Sequence, residues 1–224
     1  MALKHAYTAT GTNDTAKQVS VDRWNSDHVV DDATFTIAKT SGLQAALDAK
    51  LPLADFTLFA QSTAQQGSGF SADTYLTGSR IVLPAGLVAG SRYKLVLDLN
   101  KTAAGTGTPV ITVRLGTAGS TADTSRAALT FVANTAAADE ARVELLVTFR
   151  AVGASAIIQA VCTFSHQLTT TGFGGTGAGA NMIRRATSAA FDATPANTGI
   201  GVSVNGGTGA VWTVQLVQAE LENI

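Results

Sequence analysis

The stretch RVELLVTF, residues 142–149, decides the fold because its apolar side chains alternate with other residues. Val143, Leu145, Val147 and Phe149 occupy every second position of it. Residues two apart in a strand point to the same face of a sheet. The stretch is therefore predicted to be a β-strand with one face on an apolar core.

The same alternation recurs in both directions along the chain from this stretch. It is found in Tyr93–Leu99, Ile111–Leu115, Ile158–Phe164, Ile200–Val204 and Trp212–Leu216. Repeated alternation of this kind is typical of antiparallel sheets, and the glycine-rich intervals between the strands lack helical crossovers. We therefore predict an all-β protein, an antiparallel β-sandwich of the jelly-roll type. The segment Asn205–Gly209 is predicted to be a hairpin turn between the last two strands.

The first 39 residues are polar and show no periodicity. Such a segment buries too little apolar surface to offset its own ordering, so we predict an extended arm that becomes ordered against a partner. Trp24, with the pair Val29 and Val30, is the predicted anchor, because tryptophan is a frequent interface hot spot. The alternative is that Trp24 folds back onto its own domain.

A short α-helix is predicted after the arm, beginning at Thr40 or Ser41 and ending before Pro52. Its apolar stripe consists of Leu43, Ala46, Leu47 and Leu51. An isolated helix of this length is marginal, so the stripe is expected to pack on the β domain or on the same helix of symmetry mates. The predicted organisation is an arm over 1–39, a helical collar and linker over 40–60, and a β-sandwich head over 61–224.

The composition excludes several classes of function. Charged residues make up 14% of the 224 residues, against about 25% in an average soluble domain. The net charge of −1 gives no field that would recruit nucleic acid or an anionic membrane. No run of about 20 apolar residues predicts a spanning helix, and the chain does not begin like a secretory signal. The single cysteine, Cys162, excludes an internal disulfide and is expected to be a buried thiol.

The sequence motifs that could indicate a catalytic or cofactor-binding site lack the context that such sites need. The segment GFGGTG, residues 172–177, matches the dinucleotide pattern, but no helix follows to receive a phosphate, so a surface loop is predicted. Of the three histidines, His5 and His28 lie in the arm, and His166 has only Ser165 beside it, which points to the opposite face of a strand. No catalytic residue, cofactor or metal site is predicted. A pair of distant carboxylates meeting across a cleft, as in glycosidases, stays open.

The glycine-rich loop of residues 172–179 is the candidate binding surface. Loops held by a rigid sandwich often carry binding residues, and Phe173 is the aromatic within this one. Phe173, Arg184 and Arg185 are therefore the candidate receptor-binding residues. Two alternatives stay open: Phe173 as a plug under the loop, and the two arginines as solvated charges that protect a sheet edge.

Three stretches resemble bacteriophage virion proteins of the tail-fibre and head-fibre type. Residues 9–30, ATGTNDTAKQVSVDRWNSDHVV, resemble an N-terminal leader of phage structural proteins, and residues 42–56, GLQAALDAKLPLADF, resemble the short linker units of tail fibres. The order of YKL (93–95), VRLG (113–116) and WTVQLVQAE (212–220) is similar to that of jelly-roll heads at fibre ends. The resemblance implies a homotrimer whose arm inserts in the particle and whose head binds host-surface glycan or stabilises the particle.

The sequence therefore predicts a virion structural protein, a short fibre or spike subunit without enzymatic activity. Its expected partners are two further copies of itself, other virion proteins of the capsid, portal-proximal region or tail, and a host-surface glycan. Its expected location is the virion, assembled in the host cytoplasm. The alternatives are a purely structural capsid decoration, baseplate or minor tail protein, a bacterial adhesin, and a small glycan-degrading enzyme on a β-sandwich.

Overall fold

A computed structural model describes residues 57–175, 179–207 and 209–223. They belong to the second of the two units into which the chain divides, Pro52–Ile224. The described residues form twelve strands and one 3-10 turn, Gly153–Ser155. In chain order the strands are β1 (Leu58–Ser62), β2 (Gln66–Gly69), β3 (Thr74–Tyr75), β4 (Ile81–Val82), β5 (Arg92–Lys101), β6 (Val110–Gly116), β7 (Thr124–Thr130), β8 (Asp139–Ala151), β9 (Ile157–His166), β10 (Asn181–Thr187), β11 (Gly199–Asn205) and β12 (Trp212–Glu222).

The strands form two antiparallel sheets. The seven-stranded sheet, here the large sheet, has the order β1-β12-β5-β8-β9-β10, with β2 also paired to β12. The five-stranded sheet, here the small sheet, has the order β3-β11-β6-β7, with β4 also paired to β11. The prediction of an all-β sandwich is confirmed. β1 begins at Leu58, upstream of the head boundary predicted at residue 61.

Alternating apolar residues of both sheets fill the space between them. In β5, Tyr93, Leu95, Leu97 and Leu99 are buried, while the residues between them are more exposed. The stretch that decided the fold forms most of β8, and its four alternating apolar residues are at most 2% exposed. Burial of a large apolar side chain contributes about 1.5–3 kcal/mol, so the alternation itself specifies which face of each sheet turns inward.

A β-bulge interrupts the alternation in β12. The register against β5 shifts between Val214 and Leu216. Trp212 and Val214 are buried as predicted, but Leu216 is only partly buried and the inward positions continue at Val217 and Ala219. An extra residue in one strand reverses the faces of those that follow, which the uninterrupted pattern over 212–216 did not reveal.

The predicted hairpin at Asn205–Gly209 is wrong. β11 lies in the small sheet and β12 in the large sheet, so the intervening segment crosses from one sheet to the other. The amide of Gly206 donates to the carbonyl of Phe70 (2.7 Å) rather than across a two-strand turn. Asparagine and glycine supply the backbone freedom that either connection needs, so local turn chemistry could not distinguish the two.

Candidate functional site

A column of aromatic rings fills the core beneath the glycine-rich loop. Phe173 is 0% exposed. Its ring centroid lies 5.2 Å from that of Phe164 and 5.3 Å from that of Trp212, and Phe131 continues the column at 5.2 Å from Phe164. Tilted and edge-on pairs at such separations are favourable geometries for aromatic rings. Phe173 therefore fills the core as a plug under the loop, and its buried ring is not available to bind a receptor.

A buried histidine–aspartate pair lies beside this column. Nδ1 of His166, at the end of β9, lies 2.9 Å from Oδ2 of Asp139, at the start of β8, and neither side chain is exposed to solvent. Nε2 of His166 lies 3.0 Å from the carbonyl oxygen of Gly179. Oδ2 of Asp139 also accepts from the amide of Phe173 (2.9 Å). The pair thus connects two strands of the large sheet to both ends of the glycine-rich loop.

Two further polar side chains complete the network at this end of the sandwich. Lys101 is 3% exposed and donates to the carbonyls of Thr102 (3.1 Å), Thr135 (2.6 Å) and Ala137 (2.8 Å). Burial lowers its pKa from the usual value, and the negative charge of Asp139 opposes that shift.

Asn134 is the second of these side chains. Oriented to satisfy its neighbours, its amide donates to the carbonyl of Phe173 (2.9 Å) and accepts from the indole nitrogen of Trp212 (3.1 Å). The loop is therefore fixed to the core by directed hydrogen bonds as well as by the ring of Phe173.

The glycines of the loop allow its backbone to lie directly on these side chains. A Cβ at Gly174 would lie 2.6 Å from Nε2 of His166, and a Cβ at Gly172 would overlap the carboxylate of Asp139. Gly172 also has a positive φ of 76°. The glycine spacing that matches a dinucleotide motif is thus explained by close packing of the backbone over the buried, hydrogen-bonded side chains of His166 and Asp139.

The structure places the two candidate arginines on different surfaces. Arg184 is partly buried, donates from Nε to the carbonyl of Thr130 in β7 (2.8 Å) and lies 5.7 Å from the centre of the Phe131 ring. It joins the edge of the large sheet to the small sheet. Arg185, the next residue in the same strand, is exposed. Phe173, Arg184 and Arg185 therefore do not form one exposed surface.

The other predicted site residues lie outside the described residues. These are Trp24, Val29 and Val30 of the arm, and Leu43, Ala46, Leu47 and Leu51 of the predicted helix. Their roles stay predictions.

An exposed aromatic side chain marks β1, a surface that the sequence analysis did not identify. Phe59 is 75% exposed, the most exposed of the large apolar side chains among the described residues. It borders a groove of about 240 Å³ whose lining includes Gln61, Val96 and Gln218. Lys94 lies in the same groove, and its ion pairs with Glu222 and Glu220 raise its pKa. Leu58 and Ala60, its neighbours in β1, are partly buried against the core, and because all three residues are apolar the sequence pattern did not distinguish Phe59 from them.

A second, wider groove of about 720 Å³ lies where the large sheet meets the loops after β5 and before β12. Asn100, Glu140 and Thr213 form a row across three neighbouring strands of this groove. Gln167 extends the row, because its Nε2 donates to Oε2 of Glu140 (3.0 Å). The groove therefore presents amide, hydroxyl and carboxylate groups to solvent over a floor that includes Lys101.

The part of the chain that the structure describes contains no group of three or more metal-binding side chains. Within the same residues, no helix has the length and apolar character that crossing a membrane requires.

The comparisons with known proteins give the following. No protein-family model matches the chain, and no curated protein matches it. Several solved structures are similar in part, and two of them are described here. One is a protein of unknown function, SO2946, from Shewanella oneidensis MR-1, with 11% identity and a TM-score of 0.36 over 80% of this chain and 94% of that one. The other is the CBM2 module of an evolved Dit of Lactobacillus casei BL23 phage J-1, with 12% identity and a TM-score of 0.30 over 65% of this chain and 69% of that one.

Proposed function

We propose that the chain is a structural protein of a bacteriophage virion, a short fibre or spike subunit that assembles as a homotrimer. The observation that carries the proposal is the exposed Phe59 on β1 beside its groove. β1 is the first described strand, so the residues that resemble phage leaders and fibre linkers are joined to the head through it. A large apolar side chain exposed on a sheet edge favours contact with another chain.

The second copy of this chain is the proposed occupant of that surface. The groove beside Phe59 combines apolar lining, including Val96 and Ala219, with Lys94 and two carboxylates at its border. In a closed trimer each contact joins two different patches, so the groove of one copy would receive another surface of the next copy, and a groove that carries both charge signs offers partners to either charge. The predicted helix over residues 40–51 supplies further apolar contact in the same assembly.

Light scattering on the full-length chain tests the assembly. We expect a mass three times that of the 22.8 kDa chain, and Phe59→Lys should shift the protein towards monomer at micromolar concentration. Val88→Lys is the matched control, because Val88 is 50% exposed on the loop before β5. A monomeric wild type would refute the proposal. Leu47→Asp, which places a carboxylate in the predicted helix stripe, should weaken the trimer independently.

The arm of residues 1–39 is proposed to attach the protein to the particle through Trp24, Val29 and Val30. A chain beginning near Thr40 should still assemble but should fail to join particles in a phage complementation assay. If the shortened chain were incorporated into particles as well as the full-length chain, the proposed attachment role of the arm would be wrong. The proposal includes no enzymatic step.

Binding of a host-surface glycan is a second candidate function, favoured by the wide polar groove. The side chains of Asn100, Glu140 and Gln167 offer the planar donors and acceptors that pair with sugar hydroxyls. A glycan array with wild type and with Asn100→Ala/Gln167→Ala tests this, with Arg185→Ala as the exposed control outside the groove. Loss of binding in the double variant alone supports the site. Absence of binding by wild type favours a purely structural capsid, baseplate or minor tail role, and turnover of the glycan would instead indicate an enzyme.

A further inference from the structure

Both ring nitrogens of His166 face hydrogen-bond acceptors. Nδ1 faces Oδ2 of Asp139 at 2.9 Å, and Nε2 faces the carbonyl oxygen of Gly179 at 3.0 Å. A neutral imidazole has one N–H and one lone pair, so it can satisfy only one of these acceptors, whereas an imidazolium donates to both.

Two backbone amides donate to the side-chain oxygens of Asp139. Oδ2 accepts from the amide of Phe173 (2.9 Å), and Oδ1 accepts from the amide of Glu140 (2.9 Å). Backbone amides that donate to a carboxylate stabilise the charged state. A carboxylate at Oδ2 in turn requires a donor on Nδ1, which leaves the proton on Nε2 as the one that can be lost while the hydrogen bond from Nδ1 to Asp139 is kept.

We propose that His166 is a pH-dependent latch that holds the start of the edge strand β10 against the end of β9. When the ring is an imidazolium, Nε2–H donates to Gly179, two residues before β10 begins. When the proton leaves Nε2 for solvent, a lone pair faces the carbonyl oxygen, and this contact opens while Nδ1–H stays with Asp139.

The other charged groups nearby have partners of their own. Lys101 on β5 is the register partner of Asp139 on β8, but its ammonium group donates to three carbonyls. The carboxylate of Glu140 accepts from the side chain of Gln167. Among the described residues, Asp139 is therefore the carboxylate in contact with His166, and the backbone at Gly174 closes over the ring from the loop.

The position of the latch decides what it controls. β10 ends the strand order of the large sheet, so β9 is its one neighbour there. The first backbone bond of this pairing, from His166 N to Ala180 O (2.9 Å), is adjacent to the latch. Further along β10, Arg184 is fixed to Thr130 of β7. Loss of the proton should therefore fray residues 179–183 and leave the strand from Arg184 onward in place.

Hydrogen exchange on the full-length protein tests the latch. The exchange of peptides covering β10 is compared between wild type and His166→Gln at each pH from about 5 to about 9, the range that brackets imidazole titration. Dividing the exchange rate of the variant by that of wild type at the same pH removes the intrinsic pH dependence of amide exchange. A hydrogen bond to a charged group contributes about 1.5–3 kcal/mol, so at the acid end we expect roughly tenfold or greater protection in wild type, falling to nearly equal rates at the alkaline end.

Ring nitrogen spectra provide a readout that needs no variant at position 166. The protein is labelled with 15N-histidine in a His5→Gln/His28→Gln background, so that His166 is the one histidine observed. We expect an imidazolium at low pH and selective loss of the Nε2 proton as pH rises, with Nδ1 protonated throughout. Any of three results would overturn the proposal. These are a neutral ring over the whole pH range, loss of the Nδ1 proton before the Nε2 proton, or a ratio of exchange rates between His166→Gln and wild type that does not change with pH.

Discussion

Truncation of Phe173 to alanine tests whether the glycine-rich loop is sealed by a core side chain. The ring is fully buried and contacts Phe164 and Trp212 in the aromatic column. Phenylalanine-to-alanine changes in cores cost about 3–5 kcal/mol. The upper part of that range is expected here, because two aromatic pairs are lost and the hydrogen bonds of the surrounding loop hinder collapse onto the cavity. For a domain of this size, each kcal/mol shifts Tm by about 2–4 °C, so a loss of about 4–5 kcal/mol gives a decrease of roughly 8–20 °C.

Urea unfolding followed by tryptophan fluorescence measures this loss. The chain has two tryptophans, so the variants are compared in a Trp24→Phe background in which Trp212, the neighbour of Phe173, is the reporter. Val88→Ala is the matched control, because that side chain is 50% exposed and exposed substitutions usually change stability by less than about 0.5 kcal/mol. A loss below about 1 kcal/mol for Phe173→Ala would mean that the ring is not packed in the core, and the reasoning would fail.

Three further outcomes are expected. Burial raises the pKa of the Cys162 thiol to about 12, so iodoacetamide at neutral pH should label it only in urea. Labelling of the native protein would contradict the burial of Cys162. Because the folded-state pKa of the thiol lies above the usual 9.0, the stability that the protonated thiol contributes is complete below about pH 9 and is lost as pH rises towards 12. Asp123→Ala should cost about 1–3 kcal/mol, because its two oxygens accept from the amides of Ala118 (2.8 Å) and Gly119 (2.9 Å), and a thermal shift measures it. Gly174→Ala should lower Tm, since its Cβ would meet His166; unchanged stability would place the loop elsewhere.

The alternation of apolar residues was enough to predict the strands but not the path of the chain between them. β5, β8 and β9 follow the predicted pattern because each has one face in the core. The bulge in β12 and the crossing between β11 and β12 depend on contacts with strands distant in sequence. A pattern within one segment does not contain those contacts.

The candidate site was predicted less well than the fold, and for a physical reason. Phe173 lies between glycines, a context that is typical of an exposed loop. Its ring nevertheless packs in the core and its backbone amide donates to the carboxylate of Asp139, so both contacts hold the loop against the core. His166 looked like an isolated histidine because Asp139 is 27 residues away along the chain. Phe59 is exposed although it is apolar, and exposure of a single side chain has no signature in periodicity.

The pairing of the first described strand with the last has a consequence for synthesis in the cell. β12 lies between β1 and β5 in the large sheet, so an interior strand of that sheet is supplied by residues 212–222. While these residues are still inside the ribosome, β1 and β5 lack the neighbour that joins them, and the contact must wait until residues 212–222 have emerged. Long-range strand pairing of this kind folds slowly. The large sheet is thus completed only after β12 has been made, and a chain interrupted before residue 212 would lack the strand that joins β1 to β5 and would expose their unpaired edges to chaperones and proteases.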